Sequence, residues 1–282
     1  MIDKYIDNET DYRVSVLMSV YAKENHNYFR EALDSMLVKQ TLKPDEFVLI
    51  VDGPVGSEID LVIDEYEKLF PNILKVYRLK QNQGLGNALN IGMTKCSHQF
   101  VARADSDDIN VPERLEIQIN EFKRDNTIDI IGGNIDEFEK NYINPINKKI
   151  MPQSHREIVK MAKMRNPLNH MSVMFKKDVI LTIGNYEDLP YLEDYFLWVR
   201  ALKYGAKLKN INKILVHARI GNGMLVRRSN RQYILSWKKL NYFMKENKQI
   251  NIFEYLRNII LVKIFIYTPV IIKKYIYKYI LR

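Results

Sequence analysis

From residue 14 to residue 104, short apolar runs alternate with stretches of helical period. Val14 to Tyr21 reads Val-Ser-Val-Leu-Met-Ser-Val-Tyr, a β-branched run expected as a first strand. Phe29, Ala32, Leu33, Met36 and Leu37 then recur at i, i+3, i+4, i+7 and i+8, the apolar stripe of an amphipathic helix. Phe47 to Val51 is wholly apolar, as a strand covered on both faces should be. Ser57 and Asp60 form a capping-box pattern that predicts a helix start, with Ile59, Val62, Ile63, Tyr66 and Phe70 on the buried side. Ile73 to Leu79 predicts a third strand, Leu85 to Met93 a short helix, and Phe100 to Ala104 a fourth strand. Strand and helix in alternation predict a doubly wound α/β unit over roughly the first 110 residues.

Beyond it, Pro112 suits the first turn of a helix carrying Leu115, Ile119 and Phe122. Ile128 to Ile131 predicts a strand closed by Gly132-Gly133, and Met171 to Phe175 another. Asp136 to Met151 is polar, Asn-rich and aperiodic, so a loop or irregular hairpin over the crevice is expected.

The chemistry gathers where strands end. In a parallel sheet ligands bind beyond the carboxyl ends, where Ser19-Val20-Tyr21, Asp52 and Asp105-Ser106-Asp107-Asp108 all fall. Two carboxylates about 5 Å apart repel by roughly 3 kcal/mol at an effective dielectric near 20. A hard divalent cation relieves that repulsion; helix capping by Asp107 or Asp108 is the alternative. Asp52 suits a base edge or ribose, or equally a turn. Gly84-Leu85-Gly86 lacks the pattern of a phosphate loop. Asp194 opens a helical stretch with Leu197, Trp198 and Ala201 at i+3, i+4 and i+7; it can cap that helix or accept a proton from a hydroxyl. A lone histidine such as His170 is more often a structural hydrogen-bonder than a ligand.

Composition narrows the setting. One cysteine, Cys96, excludes an intramolecular disulfide framework and suits a reducing compartment. Met1 to Asp11 lacks the apolar core of a signal peptide, so export is not expected. The net charge is +9, and six of the positive charges, Arg257, Lys263, Lys273, Lys274, Lys278 and Arg282, follow Glu254, after which no Asp or Glu occurs. Lys263 and Pro269 interrupt the apolar run 258–282, which argues against a span and for interfacial helices with Tyr and Lys at headgroup level. A packed terminal helix with a solvated basic face is the alternative. No motif for nucleic-acid binding accompanies the charge.

In order and spacing these blocks resemble family 2 glycosyltransferases with the GT-A fold, over Arg13 to Arg219. The marks are Val14 to Tyr21, Asp52-Gly53, Asn82-Gln83-Gly84-Leu85, Ala88-Leu89-Asn90-Ile91-Gly92, Ala102 to Asp108, Pro112-Glu113-Arg114-Leu115 with Gln118, Asn169-His170-Met171-Ser172, and Glu193 to Trp198. The chain looks most like bacterial members that build O-antigen or capsule repeat units on a lipid carrier. It departs from many relatives at Asp52-Gly53-Pro54-Val55-Gly56, where a second Asp and a Ser-Thr-Asp are common.

The resemblance implies a Rossmann-like, mostly parallel sheet flanked by helices. A catalytic domain would span residues 1–220, with a nucleotide-sugar half at 12–110 and an acceptor half at 111–220, and 221–282 would be a helical membrane-associating extension. It also implies residue roles. Val20, Tyr21, Glu24, Asp52, Asn82 and Gly84 would hold the nucleotide, and Arg103, Asp105, Ser106, Asp107 and Asp108 the diphosphate and sugar. Asp105 and Asp107 would ligate Mn2+ or Mg2+. Asp194 would be the general base, and Glu193, His170 and Trp198 would meet the acceptor. The activity expected is inverting transfer of glucose or galactose from a UDP-sugar to an acceptor such as GlcNAc-diphospho-undecaprenol, at the cytoplasmic face of the inner membrane. Two rivals stand beside it. A sugar nucleotidyltransferase would want a glycine-rich loop after the first strand, where Tyr21-Ala22-Lys23-Glu24-Asn25 stands. A non-catalytic membrane-surface protein would not need Asp105, Asp107 and Asp194.

Overall fold

The computed structural model describes residues 11–221 and 231–268. Its first half follows the apolar pattern closely. Strands β1 (Val14–Val20), β2 (Glu46–Val51), β3 (Leu74–Arg78) and β4 (Phe100–Ala104) pair in parallel in the order β3-β2-β1-β4. Helices α1 (His26–Leu33), α2 (Ser57–Leu69) and α3 (Leu85–Lys95) are the crossovers. Successive β1 side chains go to opposite faces: Val16, Met18 and Val20 join one core with α1 and α2, while Leu17 joins a second with α3. Both faces of β2 are thus covered, and all six of its residues are buried. The stripe read as one helix ends as a five-residue π-helical turn, Asp34–Val38.

Several expectations need correction. Ser57 is the first helical residue of α2 and the cap is Gly56, with no side-chain cap; Asp60 instead pairs with Arg78 at 2.6 Å. Gly132-Gly133 does not end a strand, since β6 runs from Ile130 to Phe138. A Cβ on Gly133 would lie 2.4 Å from the Leu215 side chain, so glycine there admits the neighbouring strand. The presumed loop from Asp136 therefore begins as strand and returns as the hairpin partner β7 (Asn147–Lys149). Buried polar residues of β6 find partners inside the fold: Asp136 meets His217 at 2.7 Å, and Asn134 accepts from the Met151 N–H at 2.9 Å.

The sheet continues past β4 through β8 (Met174–Lys176), β6, β9 (Leu208–Arg219) and β5 (Ile109–Asn110). Here pairing is mixed: β8 is antiparallel to β4 and β6, β6 parallel to β9, and β5 antiparallel to β9. Where a strand was expected from Met171, a short 3-10 turn, His170–Ser172, precedes β8. Helix α4 (Arg114–Arg124) starts two residues after Pro112 and carries a fully buried arginine. Arg114 donates to the carbonyls of Arg103 at 2.7 Å and Val173 at 3.0 Å, joining the end of β4 to β8. Burial pulls that guanidinium down to about 9.

After α5 (His155–Ala162), α6 (Lys177–Thr182) and α7 (Glu193–Lys203) come α8 (Arg231–Glu246) and α9 (Ile252–Tyr267). The last two build a third core with α7, where Tyr195 meets Trp237 and Phe196 meets Phe243 edge-on. Among the described residues no helix is long and apolar enough to cross a membrane. The basic stretch 269–282 lies outside the described residues.

Candidate active site

Strand register decides which loops meet. Val20 of β1 pairs with Val51 of β2, and Met18 pairs with Ala104 of β4, so Tyr21, Asp52 and Asp105 leave the sheet at one edge. Asp105, Asp107 and Asp108 there bring one carboxylate oxygen each to within 4.8 Å of one another. Asp108 is 2% exposed; its Oδ1 accepts from the Arg219 N–H at 2.7 Å, while its buried Oδ2 has no hydrogen-bond donor among the described residues. Burial, then the charges of Asp105 and Glu24, push the Asp107 carboxyl up to about 7. Burial, then the charges of Asp107 and Asp105, raise Asp108 well above the carboxylate range. An all-oxygen donor set that cannot comfortably hold its own negative charge fits a hard divalent cation.

Arg103 lies under this loop and pairs with Asp105. Burial opposes its charge, but Asp105 outweighs burial and holds the guanidinium above its ordinary value. Its Nε and Nη1 are buried without a hydrogen-bond partner among the described residues. Ser106 donates to Glu24 at 2.5 Å, which ties the acidic loop to the loop after β1.

Asp52 shows the turn role. It accepts from the N–H groups of Gln83 at 2.7 Å and Gly84 at 3.0 Å and from the Asn82 amide at 3.0 Å. The turn needs Gly53, at φ +85°, where a Cβ would sit 2.5 Å from the Asn82 nitrogen. The Val20 side chain belongs to the core, and its carbonyl accepts the Asp52 N–H at 2.8 Å. Tyr21, 40% exposed, stands at the crevice edge.

The second acidic group is at the start of α7. Glu193 and Asp194 are its first two helical residues, where the helix dipole favours carboxylates, and the cap residue is Leu192. Asn166 donates to Asp194 at 2.5 Å. Gly86 lets α3 approach: a Cβ there would lie 3.4 Å from Glu193 Cβ. Tyr186 is buried, its hydroxyl 2.9 Å from His170 Nε2. Burial raises the Tyr186 phenol, and Arg103, Asp194, Asp105 and Glu193 all act on it electrostatically. Both acidic groups are thus within electrostatic reach of one buried tyrosine. Burial and then Arg103 pull His170 well below its usual range, so it is a neutral hydrogen-bonding ring. Trp198 cannot meet an acceptor directly, because it is 0% exposed and packs on His170 and Phe175.

Three residues here escaped the sequence reading: Tyr186, Asn166 and Arg219. Arg219, the last residue of β9, donates through Nε to the Asp107 carbonyl at 3.0 Å. Its guanidinium lies 3.7 Å over the Tyr28 ring and 4.5 Å over that of Phe138, and pairs with Glu31. No local signal marks it; only the pairing of β9 with β5 and β6 carries it to the acidic loop.

Known proteins agree with this architecture. The model of the family described as "Glycosyl transferase family 2" matches residues 15–181. A UDP-Gal:alpha-D-GlcNAc-diphosphoundecaprenol beta-1,3-galactosyltransferase from Escherichia coli is 37% identical over 273 residues, 96% of this chain and 97% of its own. The amylovoran biosynthesis glycosyltransferase AmsE of Erwinia amylovora is 38% identical over 222 residues, 79% of this chain and 82% of its own. Among solved structures, S. aureus TarS 1-349 in complex with UDP-GlcNAc superposes with a TM-score of 0.63 at 18% identity, covering 82% of this chain and 66% of that one. The mannosyltransferase PcManGT from Pyrobaculum calidifontis, in complex with GDP-Man and Mn2+, gives 0.60 at 12%, covering 90% and 69%. At those identities the structures speak to the fold alone, which is GT-A-like. With a family model matched over more than half of its length, and relatives above 30% identity across most of both chains, the chain belongs to glycosyl transferase family 2 and is a glycosyltransferase.

Proposed function

We propose that the chain moves a hexose, galactose before glucose, from its UDP-sugar to GlcNAc-diphospho-undecaprenol or a close analogue, forming a β-glycoside with inversion. What supports this reading is the cluster of Asp105, Asp107 and Asp108 at the carboxyl end of β4, with the acidic pair 193–194 opening α7 and both groups acting electrostatically on Tyr186. The galactosyltransferase relative, similar along nearly its whole length, supports the choice of donor and acceptor.

In this reading Tyr21, Glu24 and Ser106 flank the nucleotide, and Asn82 and Gly84 serve it through the turn they build with Asp52. Asp105 and Asp107 would hold Mn2+ or Mg2+, which neutralises charge developing on a diphosphate leaving group. Arg103 offers buried N–H groups beside that charge. Asp194, oriented by Asn166, takes the proton from the attacking hydroxyl, and Glu193 beside it orients the acceptor. The protein works peripherally at the cytoplasmic face of the inner membrane, where such an acceptor resides.

The test is Asp194→Asn assayed with UDP-galactose and a synthetic GlcNAc-diphospho-lipid. Turnover should fall by at least about 100-fold, with UDP binding by calorimetry retained. Undiminished turnover removes Asp194 from the reaction. A wild-type chain that binds UDP yet moves no sugar would be the non-catalytic surface protein.

A further inference from the structure

Helix α9 presents two unlike faces. One is locked to the protein: Val262 joins the third core, and the buried Asn258 amide donates to the Lys163 carbonyl at 2.8 Å and to Asn241 at 2.7 Å. A capping box of Asn251 and Glu254 secures its start. The other face carries Ile252, Phe253, Leu256, Ile260, Leu261 and Ile264, all largely exposed and Phe253 79% exposed. Positions 253, 256, 260 and 264 recur at helical spacing, so the side chains form one stripe rather than scattered surface residues. Exposed single leucines are ordinary in a folded protein, whereas a contiguous apolar stripe marks an interaction surface.

The charges beside the stripe select its occupant. Arg257 and Lys263 are exposed on the same helix, and no acidic residue follows Glu254. At the start of α9, Lys163, Lys245 and Lys248 line a groove of about 450 Å³ that reaches Ile252. A second copy meeting this face would set like charges together. A bilayer with anionic headgroups offers hydrocarbon to the stripe and phosphate to the lysines. We propose that this face of α9 lies in the membrane interface, and that α9, within the folded body, is a docking element independent of residues 269–282.

The placement has a consequence for the active site. Lys163 pairs with Glu254 of α9 at 3.2 Å, and three residues further on Asn166 holds Asp194. The docked helix thus sets the height of the α7 carboxylates over the membrane, so that a hydroxyl on a lipid-linked sugar can reach them. This consequence rests on the lipid-linked acceptor proposed above; the docking does not.

Flotation of the full chain with vesicles containing phosphatidylglycerol is the test. Phe253→Ser/Leu256→Ser/Ile260→Ser should lower partitioning by at least about tenfold, and Phe253→Ser alone by a smaller factor, with far-UV circular dichroism unchanged. Arg257→Gln/Lys263→Gln should weaken binding to anionic vesicles and leave weak binding to phosphatidylcholine vesicles as it was. Turnover of an acceptor embedded in vesicles should fall in the triple variant, while a short-chain soluble acceptor is used at the wild-type rate. Equal partitioning of wild type and triple variant overturns the docking face, as does a dimer, seen by ultracentrifugation without lipid, that these substitutions split. Vesicle binding without sugar transfer would sink the transfer reaction and leave the docking face standing.

Discussion

Arg219 holds the acidic loop by its main chain and its side chain at once: its N–H caps Asp108 and its Nε bonds the Asp107 carbonyl. Stacked between Tyr28 and Phe138, the guanidinium has little room to move. Residues that orient metal ligands typically cost about 10–100-fold in metal affinity when removed. Arg219→Met should accordingly weaken Mn2+ binding by about tenfold in an electron paramagnetic resonance titration, and Arg219→Lys less. An unchanged affinity would make Arg219 a packing residue only. Residue types alone marked the run Asp105–Asp108 as a place where like charges need a compensating partner, while helix capping stayed an alternative there and for Asp194; the individual roles came from the family resemblance. Asp52 was legible only as a choice between two roles; which donors reach it depends on the 82–84 turn, some thirty residues away. Trp198 misled because a tryptophan beside two carboxylates reads the same whether it faces the crevice or the core.

At the scale of elements, Glu46 opens β2 and ties four segments together. It accepts from Ser15 of β1 at 2.6 Å, from the Ser97 N–H at 2.7 Å and hydroxyl at 2.8 Å, and from Lys75 of β3 at 2.5 Å. Burial works against its charge, but the Lys75, Ser15 and Ser97 hydrogen bonds outweigh burial and hold it at about 2. A carboxyl depressed in the fold adds stability that is complete above its unfolded pKa and is lost as pH falls towards its folded one. Glu46→Gln should therefore cost about 1–3 kcal/mol near pH 7 in urea unfolding, and that difference should shrink between about pH 4.5 and 2. A difference independent of pH would remove the charge from the account. The parallel half of the sheet was readable from its apolar runs because each strand is buried on both faces. Of the strand from Ile130 only the apolar start was readable; its continuation to Phe138 was not, since its buried polar residues and paired glycines carry the signature of a loop.

For the whole molecule, three crowded carboxylates at one sheet edge link cation binding to folding. A ligand at about 100 times its Kd adds roughly 2.7 kcal/mol, which for a chain of this size raises Tm by about 5–10 °C. Saturating Mn2+ should produce that rise in differential scanning fluorimetry, EDTA should reverse it, and Asp105→Ala/Asp107→Ala should abolish it. A wild-type Tm indifferent to Mn2+ would argue against the site. Hydrophobic period and residue type, both local properties, carried the α/β class, the first four strands, the acidic loop and the carboxylate pair at the start of α7. What faces what was decided by the folded chain alone: β9 bringing Arg219 to the loop at 105–108, Tyr186 coming within electrostatic reach of both acidic groups, and α9 turning one face to the core and another outward. Contacts between residues far apart in sequence come from strand register and helix packing, and no window of neighbouring residues contains that information.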